Sequence, residues 1–282
     1  MVLKVAAHLP PMVANQLDSY TEAFEIFSHI RDPKVLKALG PSGVRGLLLK
    51  RGKQGVPTRM PANHSAHFDW TYPHDPPEMQ ELYKRAKQGQ WDGDDLPWHT
   101  DVDPMNPEVP LLPEHFFDFS VLADERIFLT EKESRQFTYS ITSWMLSQFL
   151  HGEQGALLVA SQLVSCAPTY QAKLYAASQC FDEARHVEVF NRYLQDVMGM
   201  SYPISPSLKA LLDKGLTDPR WDLKFIAMQI IIEGLALAAF QSTKMSTSCP
   251  LLRDLTHYVI RDEARHVTFG INYLEDFNKT LS

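Results

Sequence analysis

The residues of this chain that could carry out chemistry stand in a repeated hexapeptide. Asp-Glu-Ala-Arg-His-Val occurs at 182–187 and again at 262–267, so the two copies are 80 residues apart. The same offset relates Glu153 to Glu233, and each lies 30 residues before the glutamate of its own hexapeptide. In an α-helix, a Glu and a His three residues apart project from the same face. The pattern indicates an internal duplication, in which each half brings a Glu from one helix and a Glu-x-x-His from the next.

Four carboxylates and two imidazoles from the two halves are the predicted ligands of a pair of metal ions. They are Glu153, Glu183, His186, Glu233, Glu263 and His266. Glu153 and Glu233 lie in apolar stretches, where burying an unpaired carboxylate would cost on the order of several kcal/mol. Two divalent cations would balance the four carboxylates. Oxygen and nitrogen ligands in this number suit iron or manganese better than zinc, which prefers fewer, tetrahedral ligands.

This set of six resembles the ligand signature of the ferritin-like di-iron carboxylate proteins. The resemblance covers residues 130–280 and implies an all-α fold with a ferritin-like four-helix bundle. It also implies two iron ions (Fe2+/Fe3+) as cofactors, with manganese in one or both positions as an alternative. The segments Gln90-Trp91-Asp92 and Trp98-His99-Thr100-Asp101 further resemble a region that precedes the bundle in arylamine N-oxygenase-like and ribonucleotide reductase small-subunit-like proteins.

The residues that flank the ligands are similar to the Asp-Glu-x-Arg-His motifs of bacterial multicomponent monooxygenase hydroxylases. In that family, each Asp orients the His of the opposite half-site, and an Arg holds each Asp. The resemblance implies these pairs here: Asp182 with His266, Asp262 with His186, and Arg185 and Arg265 beside the two aspartates. A carboxylate behind a ligating His fixes the imidazole tautomer and raises its basicity.

Five residues near the ligands are candidates for the wall of a substrate pocket: Gly152, Leu157, Phe190, Gly234 and Leu237. Glycine inside a helix costs about 1 kcal/mol relative to alanine. The two glycines therefore either allow close helix packing or leave room for substrate or O2. The three larger residues are either pocket wall or plain core.

Differences from the related families argue against some of their activities for this chain. Phe190 stands where reductase small subunits carry a radical-bearing tyrosine, so a tyrosyl-radical role is not expected. Leu237 replaces a threonine of methane-monooxygenase-like proteins, and Val259 replaces an additional His ligand of arylamine N-oxygenases. Ferritins lack the second Glu-x-x-His, so iron storage also fits poorly.

Four long helices with short connections must position the ligands, and they are predicted at about 130–164, 170–197, 218–244 and 250–277. Thr130 and Glu133 have the spacing of a capping box at the start of the first helix. Asp218-Pro219 has the residue types of an N-cap and first-turn pair at the start of the third. Long helices connected in this way form a bundle.

Proline divides the chain into two regions, because fourteen of the 19 prolines precede residue 114. Residues 1–128 are predicted to form a Pro-rich, loop-rich and partly helical cap, and residues 129–282 the four-helix bundle. Within the cap, apolar residues at three- and four-residue steps favour helices over 17–39 and 77–90.

Composition excludes several other classes of protein. The 282 residues are 44% hydrophobic and 22% charged, which is typical of a folded chain. The net charge of −7 offers no basic surface to nucleic acid. Three widely spaced cysteines exclude a secreted disulfide framework and a CxxC metal site. No signal-peptide pattern occurs, and the longest apolar run, 230–240, is too short to span a bilayer, so we expect a cytoplasmic protein without a membrane segment.

The ligand set and the resemblance favour a non-heme di-iron oxygenase or oxidase that uses O2 to hydroxylate, desaturate or N-oxygenate a small organic substrate. Oxygenation consumes external electrons, and the sequence has neither a Rossmann glycine motif nor a CxxC cluster to supply them. A ferredoxin or a reductase is therefore expected as a partner, and a homodimer is expected by analogy with such bundles.

Three further hypotheses remain open, two from the same six residues and one from a separate histidine-rich segment. A dimanganese catalase-like or peroxidase-like enzyme acting on H2O2 would use the same six ligands, as would a metal-binding bundle without catalysis. A second metal site would involve His64, His67, Asp69 and His74.

Overall fold

The computed structural model describes residues 58–67, 70, 72–74, 76–106, 108, 110–124 and 126–280, with the single residues 20, 21, 24, 28 and 33. Within these residues all regular structure is helical and no strand occurs. The prediction of an all-α fold is therefore confirmed for the described part of the chain. The helix predicted over 17–39 lies largely outside the described residues.

The helices in chain order are α1 (Pro77–Gln88), α2 (Ser120–Asp124), α3 (Glu131–Cys166), α4 (Tyr170–Arg192), α5 (Pro206–Thr217), α6 (Trp221–Phe225), α7 (Glu233–Ser246) and α8 (Pro250–Thr280). A π-helical turn, Tyr193–Met198, extends α4, and a second π-helical stretch, Ile226–Ile232, joins α6 to α7. Short 3-10 helices occur at Gly93–Asp95 and Glu114–Phe116. Helices α3, α4, α6–α7 and α8 are the four long helices that the sequence predicts.

Local chemistry sets where the long helices begin. The predicted capping box of α3 is confirmed, since Thr130 Oγ1 accepts from the Glu133 N–H and the Thr130 N–H donates to Glu133 at 2.8 Å. The third long helix begins later than predicted. Asp218 is not its N-cap, because Asp218 ends α5 as its C-cap and the extended residue Arg220 is the N-cap that precedes Trp221.

The long helices pack as two antiparallel pairs. α3 runs alongside α4, and α7 runs alongside α8; each pair has a three-residue connection, 167–169 or 247–249. Each pair carries one half of the sequence repeat. Helix α1 lies across α4 and α8, so this described part of the N-terminal region contacts the bundle. The proposed boundary between residues 128 and 129 stays a prediction.

Two hydrophobic cores fill the bundle, one on each side of a polar layer. One core contains Tyr175 and Phe269, and the other contains Phe190 and Phe240. On α4, the repeat residue Glu183 lies between Tyr175 of the first core and Phe190 of the second. The polar residues of the repeat therefore lie in a middle layer, with apolar packing above and below.

By length and composition alone, the helical segment Trp221–Ser246 could cross a membrane, although one such helix is weak support because core helices pass the same test. This segment carries Glu233, which is 2% exposed and faces the bundle interior. The absence of a membrane partner stays a prediction, as does the cytoplasmic location.

Candidate metal centre

The fold brings the six repeat residues together at the middle of the bundle. Two overlapping groups of four have ligand-type atoms within 4.8 Å of one another: Glu153, Glu183, His186 and Glu263, and Glu183, Glu233, Glu263 and His266. Two glutamates belong to both groups. We call the pair Glu153 and His186 the His186 side, and the pair Glu233 and His266 the His266 side.

Each of the two shared glutamates, Glu183 and Glu263, directs one carboxylate oxygen toward His186 and the other toward His266. His186 Nδ1 lies 3.4 Å from Glu183 Oε2 and 3.1 Å from Glu263 Oε1. His266 Nδ1 lies 3.2 Å from Glu183 Oε1 and 3.5 Å from Glu263 Oε2. The unshared Glu153 places Oε2 3.1 Å from His186 Nδ1. This arrangement suits two adjacent cations bridged by two carboxylates.

All six side chains are buried, and the most exposed, Glu153, has 4% of its surface accessible. Burial raises the pKa of Glu153 and of Glu233 well above the usual carboxyl range, and the neighbouring Glu263 adds to both shifts. Burial also opposes ionisation of Glu183, but the two imidazoles outweigh it and lower the pKa of that carboxyl. Protons on such groups are what a cation displaces when it binds.

Two opposing effects also act on the pKa values of the two imidazoles. Burial lowers the pKa of His186 and of His266, but the surrounding carboxylates outweigh burial and raise both well above the usual range. The site as a whole is therefore strongly attractive to positive charge.

Buried side-chain atoms without a hydrogen-bond partner concentrate in this cluster: Glu183 Oε2, Glu233 Oε2, both carboxylate oxygens of Glu263, and His266 Nδ1. A buried polar atom left unsatisfied costs about 1–3 kcal/mol. A pair of cations would satisfy these atoms together. The set of hard oxygen and nitrogen donors suits iron or manganese, so the residues fit the dinuclear metal that the resemblance implies.

An aspartate lies behind each imidazole, and it comes from the opposite half of the repeat. His186 Nε2 is 3.1 Å from Asp262 Oδ2, and His266 Nε2 is 3.3 Å from Asp182 Oδ2. Each Nδ1 faces the glutamates while each Nε2 faces an aspartate. Such a carboxylate holds the ring orientation and leaves Nδ1 free to act as a ligand.

The two arginines of the hexapeptides each bridge both aspartates. Arg185 donates to Asp182 at 2.6 Å and to Asp262 at 2.8 Å. Arg265 donates to Asp262 and, at 3.3 Å, to Asp182. Two positive and two negative charges therefore form a neutral network behind the imidazoles.

Gln90 and Trp91 complete this network, and the sequence assigned them no contact. Gln90 Nε2 donates to Asp182 at 2.9 Å and Trp91 Nε1 donates to Asp262 at 2.8 Å, while Gln90 Oε1 accepts from Arg185 at 2.7 Å. The available signal was the resemblance of Gln90-Trp91-Asp92 to a segment that precedes the bundle in related proteins. The N-terminal region thus contributes directly to the surroundings of the cluster.

Gln179 is a second residue that the sequence analysis missed. Its amide donates to Glu233 at 2.7 Å and to Glu183 at 3.1 Å, and its side chain is fully buried. The signal in the sequence is weak, because one Gln a helical turn before a Glu is common.

The pocket candidates fall into two kinds. A Cβ added at Gly152 or at Gly234 would meet no atom of a neighbouring element within 4 Å, so open space adjoins both glycines. Both glycines are partly exposed, so this finding argues against close helix packing as the reason for glycine at these positions. Leu157 and Leu237 are partly buried, and Phe190 is fully buried within one of the two cores. Their role as a substrate wall stays a prediction.

Within the part of the chain that the structure describes, groups of metal-capable side chains occur in the six-residue cluster alone. His64 and His67 instead line a separate cavity that includes Cys166 and Trp221. Asp69 of the predicted second site lies outside the described residues.

No family model matches this chain, and no curated protein matches it. Among solved structures, it is similar to R2-like ligand-binding oxidases. One with aerobically reconstituted Mn/Fe cofactor has 20% identity, covers 72% of this chain and 69% of its own, and gives a TM-score of 0.42. A point mutant with anaerobically reconstituted Mn/Fe cofactor has 20% identity, 72% coverage of both chains and a TM-score of 0.43.

The helices and the six repeat residues themselves define the fold. The described chain is all-α, and its four long helices contribute the Glu and Glu-x-x-His pattern of a ferritin-like dinuclear carboxylate bundle.

Proposed function

We propose that this protein is an oxidoreductase with a dinuclear metal centre, and more specifically a non-heme di-iron oxygenase or oxidase that uses O2 to oxidise a small organic substrate. One observation carries the proposal. Six buried side chains from two matched halves converge, and their unsatisfied oxygen and nitrogen atoms point at one another. A cluster of this composition is costly to bury unless cations occupy it.

Each half of the repeat would hold one ion. Glu153 and His186 would bind the first, Glu233 and His266 the second, and Glu183 and Glu263 would bridge the two. The structural neighbours carry Mn/Fe cofactors. From the hard oxygen and nitrogen donors of the cluster itself, we propose a pair of iron ions for this chain, with manganese in one or both positions as an alternative.

A bound pair of redox-active ions would supply the electron transfer to O2 that side chains cannot provide. The protein would do the rest. Asp182 and Asp262 hold the imidazoles in one tautomer, and the two cores exclude water from the cluster. The open space beside Gly152 and Gly234 is where we place the approach of substrate and O2.

We also propose that electrons come from a separate ferredoxin or reductase. The full sequence has neither a Rossmann glycine motif nor a CxxC cluster, so the chain has no evident redox group of its own to supply them. Catalytic turnover with O2 would then require this partner or a chemical substitute for it.

The test begins with metal-free protein loaded anaerobically with Fe(II). We expect two iron ions per chain, rapid reaction of the loaded protein with O2 in stopped-flow absorbance, and O2 uptake that depends on added reductant. Glu183→Ala should lose iron binding. Glu188→Ala, an exposed position on the same helix, should keep it.

Two results would refute the proposal. Iron binding by Glu183→Ala equal to that of the wild type would show that the cluster is not the metal site. Release of O2 from H2O2 without any reductant, together with no reaction of the Fe(II) form with O2, would assign a catalase-like activity instead.

A further inference from the structure

We infer that Gln179 is a positioning residue that makes the two proposed metal positions unequal, so that the His266 side binds its ion more tightly. The inference rests on the proposed function only in assuming that the cluster binds two ions. It concerns a difference between the two halves of the repeat that the hexapeptides themselves do not show.

Both hydrogen bonds of the Gln179 amide fall on the His266 side. The amide donates to Glu233 Oε1 at 2.7 Å and to Glu183 Oε1 at 3.1 Å. Glu183 Oε1 is also the oxygen that lies 3.2 Å from His266 Nδ1. Because the bond occupies Oε1 of Glu233, the unsatisfied Oε2 is left for a metal ion.

A second amide holds Gln179 in place. Gln229 Nε2 donates to Gln179 Oε1 at 3.3 Å, and both glutamines are fully buried. Gln229 fits there because residue 270 is glycine. A Cβ on Gly270 would lie 2.5 Å from the Gln229 Cβ, which is too close for any real side chain. Gly270 therefore sets how closely α8 approaches the backbone that carries Gln229.

The other half of the repeat has no such amides. The offset of 80 residues pairs Gln179 with Val259, and Gln229 with Phe149. It also pairs Gly270 with Phe190, whose ring packs against Phe149 with centroids 5.9 Å apart. Positions that carry two glutamines and a glycine in one half therefore carry a valine and two phenylalanines in the other.

This difference has a direct consequence for the carboxylates. Among the described residues, the hydrogen bonds include none from a side-chain amide to Glu153 or Glu263. A hydrogen bond from an outer residue holds a ligand in its binding orientation, and loss of such a bond weakens metal affinity about 10- to 100-fold. Glu233 is held by an outer amide before the ion arrives, whereas the contact of Glu153 is with His186 Nδ1, the atom that the ion itself would take.

The experiment measures Mn(II) binding to the metal-free full-length chain under anaerobic conditions, with free Mn(II) counted by electron paramagnetic resonance. Glu153→Ala should leave only the His266 side, and Glu233→Ala only the His186 side. In the Glu153→Ala background, Gln179→Met should weaken Mn(II) binding about 10- to 100-fold. In the Glu233→Ala background the loss should be clearly smaller, because only the bond to Glu183 Oε1 is then removed, and the other oxygen of Glu183 is the one nearer His186.

Methionine is chosen because it has a similar length and volume but no amide donor. Gln171→Met is the matched control, since Gln171 lies on the same helix, is 8% exposed and donates to the Pro73 carbonyl away from the cluster. This control should leave both affinities unchanged. If Gln179→Met does not fold by circular dichroism, Gln229→Met removes the brace without touching a ligand and should weaken the His266 side in the same direction.

Equal weakening of both sides by Gln179→Met, or no weakening of either, would overturn the inference while leaving a two-metal enzyme intact. Wild-type protein that binds neither Mn(II) nor Fe(II) would overturn the proposed function and this inference together. A merely structural role for Gln179 would lower the unfolding temperature of the metal-free protein but would not separate the two affinities.

Discussion

Asp262 is the residue whose alteration tests the network behind the cluster most directly. It is fully buried, and its carboxylate lies 3.1 Å from His186 Nε2 and accepts from Arg185 and Trp91 at 2.8 Å each. Arg265 donates to it as well. Asp262→Asn keeps the size of the side chain but removes its negative charge and one pair of acceptor sites.

The expected loss of stability follows from this burial. Breaking a buried ion pair costs about 3–5 kcal/mol, because the remaining charge is left without compensation. Asp182 still faces both arginines in the variant. We therefore expect the lower limit, about 3 kcal/mol, which corresponds to a fall of about 6–12 °C in the Tm of a chain of this size.

The same change should alter metal binding on one side. Without the carboxylate, the His186 ring loses the group that fixes its tautomer, and the affinity of that side for Mn(II) should fall about 10- to 100-fold. The assays are thermal unfolding of the metal-free protein and Mn(II) titration. Asp254→Asn, an exposed position on the same helix, is the control. An unchanged Tm together with unchanged Mn(II) affinity would refute the reasoning about the network.

Three further changes have defined outcomes. Trp91→Phe keeps an aromatic ring but removes the N–H donor to Asp262. It should lower the free energy of unfolding, measured in urea, by about 1.5–3 kcal/mol. A loss larger than that of Asp262→Asn would show that ring packing matters more than the hydrogen bond. Lys224→Met should lower the free energy of unfolding by about 1–3 kcal/mol in the same assay. The reason is that the fully buried Lys224 donates to two carbonyls at the end of α5, at 3.0 and 3.1 Å. An unchanged free energy of unfolding would mean that those carbonyls find other donors. Burial raises the folded-state pKa of Glu153 and of Glu233 above the ordinary value of 4.5. The metal-free protein should therefore lose stability as the pH rises above about 4.5, because these two buried carboxyls then ionise. Since metal ions displace those protons, the increase in Tm caused by Mn(II) should grow with pH, and an increase that stays constant or shrinks would contradict this account.

The sequence was most informative where structure depends on neighbours along the chain. The capping box of Thr130 and Glu133 was predicted because it needs only two residues three apart. The all-helical fold followed from apolar periodicity, and the two hexapeptides showed that Glu and His would share a helix face. The start of the third long helix was misplaced, because Asp218 ends the preceding helix α5 and Arg220 is the N-cap of the next one.

The sequence was least informative about groups that act across the bundle. Trp91 and Asp262 are separated by 171 positions along the chain, yet they share a hydrogen bond. Gln179 and Gln229 belong to different helices, and neither belongs to a motif. Their contact depends on the space above Gly270, which only the packing of α8 against the π-helical stretch before α7 defines.

By itself, the sequence determined which six side chains are suited to hold metal ions and which helices carry them, because the helical repeat converts spacing along the chain into a shared direction in space. The tertiary structure decided that the two halves meet, that Glu183 and Glu263 lie between both imidazoles, and that the Gln179 amide contacts Glu233 in one half while Phe149 and Phe190 pack together in the other. The physical reason is that ligand chemistry is a property of single residues, whereas burial, hydrogen-bond partners and free space belong to surfaces that come together only when the helices pack.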